Sequence, residues 1–305
     1  MTPQQVKVLA IVVGALLAFW GVMALLPSGT DRPTADFRLP TVVADSVVTI
    51  TVSGRGDTVT LARGPDSTWT VNGFAAARSS VGEFLGTLRL PVRPELVARS
   101  AASFARLGVD STSGLRLRVA GRHGMLLDVM VSMRGPEGSS DGAFVRLPGD
   151  SAVYAWTSRL GQLTRRRVDD WRDRKIASVV PDSVRRIDVA RGARRYTLRH
   201  QDQHWLLGTA PADSAAAARL LDAFKTVNAD GFPTRAQLDS AFRRQAQRHV
   251  ALYDAGAAPL LTLDFDSTSN GFWVRRSAGG TIYRLSTWVT DQLTPADSTL
   301  RPRKH

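Results

Sequence analysis

The chain contains two copies of one sequence pattern, and this repeat constrains its fold more than any other feature. Asp45-Ser46-Val47 returns as Asp182-Ser183-Val184, and further matches follow at nearly the same separation down the chain. Matches at a nearly constant separation are typical of a duplicated structural unit. The sequence therefore predicts one folding unit used twice, as a first copy over residues 41–175 and a second copy over residues 176–305.

The front half of each copy predicts strands followed by a helix. Residues 48–52 alternate between apolar side chains and threonines, as on a half-buried strand. Trp69, which returns as Trp205, marks a later short strand. Ser80 and Glu83 have the spacing of a capping box at the start of a helix. The predicted helix has one apolar face, formed by Val81, Phe84, Leu85 and Leu88 in the first copy and by Ala217, Leu220, Leu221 and Phe224 in the second.

The back half of each copy predicts further strands and a second, shorter helix. Gln162-Leu163-Thr164 returns as Gln292-Leu293-Thr294, and these matches fall at the ends of predicted helices over residues 157–163 and 287–293. The hairpin-like spacing of the alternating runs favours antiparallel pairing of the strands. We expect the helices to cover one face of the resulting sheet.

The N-terminal stretch predicts a membrane anchor. Residues 8–26 contain no charged side chain, and a helix rising ~1.5 Å per residue over this stretch comes close to the ~30 Å hydrocarbon core of a bilayer. Trp20 would lie near its far end, where amphipathic rings are favoured. We therefore expect an uncleaved, single-pass signal anchor in a bacterial inner (cytoplasmic) membrane, with the globular part on the periplasmic side.

Together these patterns predict an α+β fold. An N-terminal single transmembrane helix is followed by two tandem, homologous, mostly antiparallel sheet-plus-helix modules. The predicted limits are residues 1–26 for the anchor, 27–40 for a linker rich in Pro, Thr, Asp and Gly, and the two copies after it. A chain of 305 residues is long enough for two such modules, each with its own core.

The net positive charge of the chain has two possible explanations. The formal net charge is +13, the sequence pI is near 11.2, and arginine supplies nearly all of the positive charge. A GC-rich genome favours arginine codons, whereas a functional reading is attraction to lipid headgroups, an acidic partner or nucleic acid. Cysteine is absent from the sequence, which excludes disulfides and every cysteine-based catalytic or metal site.

Two motifs resemble metal sites, and the sequence around them argues against both. His200 and His204 have the spacing that joins two ligands on one face of a helix, but the repeat aligns them with a turn between two strands. The run that begins with Asp264 and Asp266 resembles a calcium loop, whose twelfth position must be acidic. That position is Arg275, so we predict no metal site.

Two further motifs favour structural roles. Arg55-Gly56-Asp57 matches an integrin-type tripeptide, but Gly and Asp also suit the tip of a hairpin. Asp169 and Asp170, beside the arginines at 165–167, predict a surface ion-pair cluster, because neighbouring side chains diverge in a strand or a helix. His249 has no predicted partner, and no phosphate loop or hydrolase signature is present. We therefore predict no catalytic residue, no cofactor and no enzymatic activity.

Several short motifs also match a known family. They are Asp182-Ser183-Val184 before Ile187-Asp188-Val189, Trp205-Leu206-Leu207, Pro211-Ala212-Asp213, residues 104–110, Val145-Arg146-Leu147 with Val153-Tyr154, and Trp171-Arg172-Asp173. With the apolar N-terminus, they make the chain resemble the domain-of-unknown-function 4340 family of bacterial membrane-anchored proteins. Residues 241–244 depart from the family pattern, which has a glycine turn there. The resemblance implies association with ABC-transporter components of the gliding-motility type, and it implies no catalytic residues.

The predicted function is structural. We expect a non-catalytic, membrane-anchored extrinsic scaffold subunit of a larger bacterial membrane complex, with a photosynthetic reaction-centre and light-harvesting complex as one candidate. The alternatives are an accessory protein of an ABC transporter and a periplasmic ligand-binding or enzymatic module, which would need polar residues in a cleft between the copies. The expected partners are integral membrane subunits, and membrane lipids through the N-terminal helix, but not nucleic acid.

The repeat also predicts where the specific contacts of this chain lie. Positions that match, such as Trp69 and Trp205, are expected to serve folding in both copies. Positions that differ are free to serve function in one copy alone. The clearest differences are residues 89–141, which are longer than their counterpart, and the arginines of the second copy.

Overall fold

Two large antiparallel sheets form most of the structure. A computed structural model describes residues 42–54, 56–89, 94–136, 139, 141–243, 245–277 and 279–302. The strands of the first sheet are β1 (Val47–Gly54), β2 (Asp57–Arg63), β3 (Trp69–Val71), β4 (Phe74–Ala75), β5 (Glu95–Ala98), β6 (Leu115–Gly121), β7 (Gly124–Val131), β8 (Ala143–Arg146) and β9 (Val153–Trp156). Within the described residues their order is β4-β3-β2-β1-β6-β7-β8-β9-β5.

The second sheet repeats this order. Its strands are β11 (Arg186–Arg191), β12 (Arg194–Gln201), β13 (His204–Leu207), β14 (Ala210–Pro211), β16 (Arg248–Tyr253), β17 (Pro259–Thr268), β18 (Gly271–Arg276) and β19 (Ile282–Leu285). Their order among the described residues is β14-β13-β12-β11-β16-β17-β18-β19. A small separate sheet pairs β10 (Lys175–Ala177) with β15 (Val227–Asn228). Each strand of the second sheet thus has a counterpart in the first.

The helices are short and lie between the strands in the chain. They are α1 (Arg78–Arg89), α2 (Phe104–Leu107), α3 (Leu160–Thr164), α4 (Val168–Trp171), α5 (Ser214–Ala223), α6 (Arg235–Leu238) and α7 (Thr287–Leu293). Short 3-10 helices occupy Ala44–Ser46, Ala101–Ser103, Pro181–Ser183 and Asp297–Leu300.

The predicted fold class, an α+β chain that begins with a transmembrane helix, is wrong in that form. The described residues form mostly antiparallel sheet with short helices. Among these residues, none of the helices is long and apolar enough to cross a membrane. Residues 1–26, to which the anchor was assigned, and the linker at 27–40 lie outside the described residues. The predicted domain limits stay predictions, and β10 runs across the one at residues 175–176.

Alternation of side chains along the central strands builds one core on each sheet. Ile50 on β1 pairs with Leu61 on β2, and Ile187 on β11 pairs in the same way with Leu198 on β12. All four side chains are buried. Successive side chains in a strand point to opposite faces, so the intervening polar residues lie on the outer face of each sheet. The strand predicted around residues 48–52 is confirmed.

The apolar faces predicted for α1 and α5 pack against these cores. Val81, Phe84, Leu85 and Leu88 of α1 are buried in the first core. The predicted capping box is wrong, because α1 begins at Arg78 and Ser80 lies inside the helix. Helix α5 is capped by Asp213, whose carboxylate accepts a hydrogen bond of 2.7 Å from the Ala216 amide. An acidic N-cap of this kind satisfies an amide that has no partner inside the helix.

The two copies differ at one edge of their sheets. In the first copy β5 pairs with β9 and completes the sheet. In the second copy the corresponding segment, β15, pairs with β10 instead. Strand β19 therefore ends the second sheet, and in the described residues only an isolated bridge between Gly231 and Arg284 adjoins it on that side.

The segment that joins the copies holds Arg172 between two aromatic rings. The Arg172 guanidinium lies 3.9 Å from the ring centre of Phe74 in the first copy and 3.5 Å from that of Phe232 in the second. Arg172 is only 7% exposed, and its Nη1 lies 3.2 Å from Asp169 Oδ1. The Asp173 amide also donates to the Ala75 carbonyl at 2.8 Å. This side chain therefore connects the two copies directly.

Candidate functional site

The two histidines with metal-like spacing lie on neighbouring strands and not on a helix. His200 lies near the end of β12, and His204 is the first residue of β13. The turn between them has positive φ angles at Asp202 and Gln203. The His200 ring packs against the ring of Trp205, with centres 5.1 Å apart. In the described part of the chain, no three His, Cys, Asp or Glu side chains are grouped so that they could hold a metal ion.

The calcium-like run also forms ordinary strands. Asp264 and Asp266 lie on β17. Arg275 lies on β18, at the position where a calcium loop would have an acidic residue. Its Nε is 3.5 Å from Asp264 Oδ2. Asp266 accepts a hydrogen bond of 2.8 Å from the Phe242 amide. Both carboxylates are therefore engaged with groups of the protein itself.

The other two motifs have structural roles as well. Gly56 and Asp57 lie in the turn and at the start of β2, and Arg55 lies outside the described residues. Asp169 pairs with Arg172, and Asp170 accepts a hydrogen bond of 2.9 Å from the Arg167 amide at the start of α4. These two carboxylates thus have separate partners and do not face one another as an acid/base pair would.

A histidine–aspartate pair that the sequence did not predict lies on the outer face of the second sheet. His249 Nδ1 is 2.8 Å from Asp264 Oδ1, across strands β16 and β17. The pair borders a depression of about 850 Å³ that Thr197 and Arg195 also line. The Thr197 hydroxyl donates to the Asp188 carboxylate at 2.8 Å. Since this hydroxyl is bound to a carboxylate and not to the imidazole, the depression does not present an activated nucleophile.

The most exposed apolar feature is a groove between α5 and α7. Trp288, near the start of α7, is 69% exposed, the highest fraction among the large apolar side chains of the described residues. The groove has a volume of about 600 Å³. Its apolar lining consists of Ala216, Leu220 and Ala223 from α5, Trp288 from α7, and Pro295 and Leu300 after α7. We call it the α5–α7 groove.

Helix α7, which forms one side of this groove, is anchored to the sheet by side-chain contacts. Its Asp291 accepts from Arg248 Nη1 at 2.6 Å and lies 3.2 Å from Arg191 Nη2, which tie the helix to the sheet. The Tyr196 hydroxyl donates to the Pro295 carbonyl at 2.6 Å, and burial raises the pKa of this hydroxyl. Leu293 is buried beneath the helix. Trp288 therefore lies on a helix that is tied to the sheet, while most of its own surface is exposed.

In the first copy, ion pairs cover the surface that corresponds to the α5–α7 groove. Aligning Trp69 with Trp205 places Glu83 of α1 opposite Arg219 of α5. The Glu83 carboxylate lies 2.6 Å from Arg159 Nη1 and 2.6 Å from Arg166 Nη2, so it joins α1 to the segment around α3. Such bridges cover the helix pair with groups of the chain itself.

In the second copy this position carries no internal bridge. Arg219 is exposed, and none of the acidic side chains in the described part of the chain forms an ion pair with it. Its neighbour Asp222 is already paired with Lys225 at 2.7 Å. Aligning Gln162 with Gln292 places a serine, Ser158, opposite Trp288. The sequence had pointed to the arginines of the second copy, but only the structure brings Arg219 beside Trp288.

Comparison with known proteins identifies a family. A family model described as "Domain of unknown function (DUF4340)" matches residues 69–246. The match starts at β3 and ends just before β16, so it covers parts of both copies and more than half of the chain. The resemblance inferred from the short motifs is thereby confirmed. No curated protein and no solved structure matches the chain.

These comparisons do not test the two expectations about the partner complex. Neither a photosynthetic complex nor an ABC transporter is supported by any match. The short motifs that suggested the family lie in strands, turns and helix starts, which identify a fold and not a partner. Both complexes therefore stay expectations without further support.

Proposed function

The chain belongs to the DUF4340 family, whose function is unknown, and we propose that it is a non-catalytic protein-binding subunit of a larger complex. The family supplies no activity to transfer, so the proposal rests on the surface of the chain. One observation carries it, the exposed Trp288 in a groove that the first copy closes and the second leaves open. The predicted periplasmic location stays a prediction, because no finding bears on it.

The energetics of Trp288 favour a protein partner. A tryptophan side chain buries roughly 150–250 Å² when covered, and Trp288 keeps 69% of its surface exposed. Covering that surface would contribute about 3 kcal/mol at ~25 cal/mol per Å². Tryptophan and arginine are also the residues most enriched among those that dominate binding at interfaces. The α5–α7 groove presents one of each, Trp288 and Arg219.

The alternative of a ligand-binding or enzymatic module has less support. The sequence placed such a site in a cleft between the copies, where the structure instead has Arg172 between Phe74 and Phe232. The polar depression at His249 lies on one sheet, and the carboxylates that it contains, Asp188 and Asp264, are paired internally. Internal pairing of this kind satisfies the groups without a ligand.

Gentle purification tests the proposal. The full chain, tagged and expressed in its own organism, is solubilised in mild detergent and its co-purifying proteins are quantified. We expect stoichiometric partner subunits with the unaltered chain and with a Ser158→Ala control. A Trp288→Ala variant should lose most of that partner, about tenfold or more for an interface anchor. Recovery of the unaltered chain as a lone monomer would overturn the proposal.

A further inference from the structure

The charges around the α5–α7 groove indicate what kind of segment it accepts. Asp222 is paired with Lys225, and Asp291 with Arg191 and Arg248. Arg219 is the lining cation that the described residues leave without an acidic partner. The groove is therefore apolar along its floor and carries an unneutralised positive charge at its rim.

The first copy provides the matching arrangement inside one chain. There the Glu83 carboxylate of α1 pairs with two guanidinium groups, those of Arg159 and Arg166, which flank α3. Helices α1 and α3 are the first-copy equivalents of α5 and α7. In the second copy the charge at this place is reversed, because Arg219 stands where the first copy has Glu83, and Val289 and Ala296 stand where it has Arg159 and Arg166. A carboxylate supplied from outside would give Arg219 the ion pair that the described part of the chain does not provide.

We infer that the α5–α7 groove binds an amphipathic helix of a partner protein, with its apolar face against Trp288 and an acidic side chain paired with Arg219. This inference rests on the proposed function and specifies its partner. Apolar grooves between helices commonly accept the apolar face of such a helix. A second copy of this chain fits less well, because a symmetric contact through the groove would bring two Arg219 side chains towards each other.

A pair of designed peptides tests the inference. Both are amphipathic helices of equal length with the same apolar face, and they differ only in carrying Glu or Lys beside that face. Binding to the full chain in detergent is measured by the anisotropy of a label on the peptide. We expect the acidic peptide to bind about tenfold more tightly, because attraction to Arg219 replaces repulsion.

Matched variants separate this site from the bulk charge of the protein. Arg219→Glu should abolish or reverse the preference for the acidic peptide. Arg199→Glu has the same net charge but changes an exposed arginine on β12, and it should keep the preference. Trp288→Ala should weaken both peptides about tenfold, and Ser158→Ala should weaken neither.

Several outcomes would overturn the inference. They are equal preferences in the two arginine variants, no binding of either peptide, and no effect of Trp288→Ala. Trp288-dependent binding of anionic lipid vesicles, without peptide binding, would assign the groove to a membrane surface instead. Failure of this inference is distinct from failure of the proposed function. A partner that co-purifies equally with the unaltered chain and with Trp288→Ala does not bind through the groove, and it overturns only the inference.

Discussion

At the scale of single residues, Asp110 shows how a turn of the fold satisfies a charged side chain with its own hydrogen-bond donors. Its carboxylate accepts hydrogen bonds from the hydroxyls of Ser113 and Thr112, and from their amides at 2.9 and 2.8 Å. These bonds, that of the Ser113 hydroxyl first, hold the pKa of Asp110 well below its usual value of 3.8. Because the folded pKa is lowered, the carboxylate stabilises the fold above that usual value, and the contribution is lost as the pH falls.

An Asp110→Asn variant tests this dependence. The carboxamide keeps the shape of the side chain but does not titrate. We expect the variant to have a lower Tm than the unaltered chain at neutral pH, and the two values to converge as the pH falls from about 5 to about 2. Thermal unfolding followed by circular dichroism measures both. Curves that stay parallel over this range would mean that the charge of Asp110 contributes nothing.

The sequence predicted that neighbouring side chains diverge, but not which side chains meet across strands. The separation of Asp169 and Asp170 could be predicted, because adjacent side chains diverge in any regular structure. The pair of His249 and Asp264 could not, because it depends on the register between β16 and β17. A shift of that register by one residue would place the two side chains on opposite faces of the sheet.

At the scale of elements, helix α1 carries two glycines that its fold does not need. A Cβ atom added at Gly82 or Gly86 meets nothing within 4 Å, and both positions are exposed. Each Gly→Ala change should therefore stabilise the chain by about 0.5–1 kcal/mol, since alanine loses less backbone entropy on folding. Urea unfolding measures this gain. Gly161→Ala is the opposite control, because its Cβ would lie 2.7 Å from the Gly142 carbonyl oxygen, and it should destabilise the chain.

The pattern of apolar residues predicted that these helices exist, but it did not predict where they begin. The apolar face of α1 fixed the helix and its buried side, but its start was predicted too late at Ser80. Helix α7 covers the predicted residues 287–293, whereas α3 begins at Leu160, three residues later than predicted. In the first copy the Ser158 hydroxyl accepts from the Leu160 amide at 3.2 Å, which moves the start of the helix down the chain.

At the scale of the whole molecule, duplication explains both what could be predicted and what could not. Matching positions such as Ile50 and Ile187 predicted one folding unit used twice, because burial constrains them in the same way in each copy. The strand order that the two sheets share came from the structure. The α5–α7 groove escaped prediction because it arises where Arg219 and Trp288 replace Glu83 and Ser158. These positions are far apart in the sequence, and only packing of α5 beside α7 turns two separate differences into one surface.

At the contact between the copies, one side chain touches both of them. Arg172 stacks on Phe74 and Phe232, and the main chain around it continues into β10, which pairs with β15. Each desolvated cation–π contact contributes about 1–2 kcal/mol, so Arg172→Ala should lower the free energy of unfolding by about 2–3 kcal/mol. Arg172→Lys keeps the charge but lacks the planar face, and it should recover less than half of that loss.

Calorimetry then distinguishes a local loss from an uncoupling of the copies. Arg301→Ala is the matched control, because Arg301 follows Leu300 as Arg172 follows Trp171 but pairs with Asp297 at the exposed surface. That variant should lose no more than about 0.5 kcal/mol. If Arg172 couples two cores that can each unfold alone, Arg172→Ala should split one thermal transition into two. A single transition at lower temperature would mean that contacts other than those of Arg172 are enough to couple them.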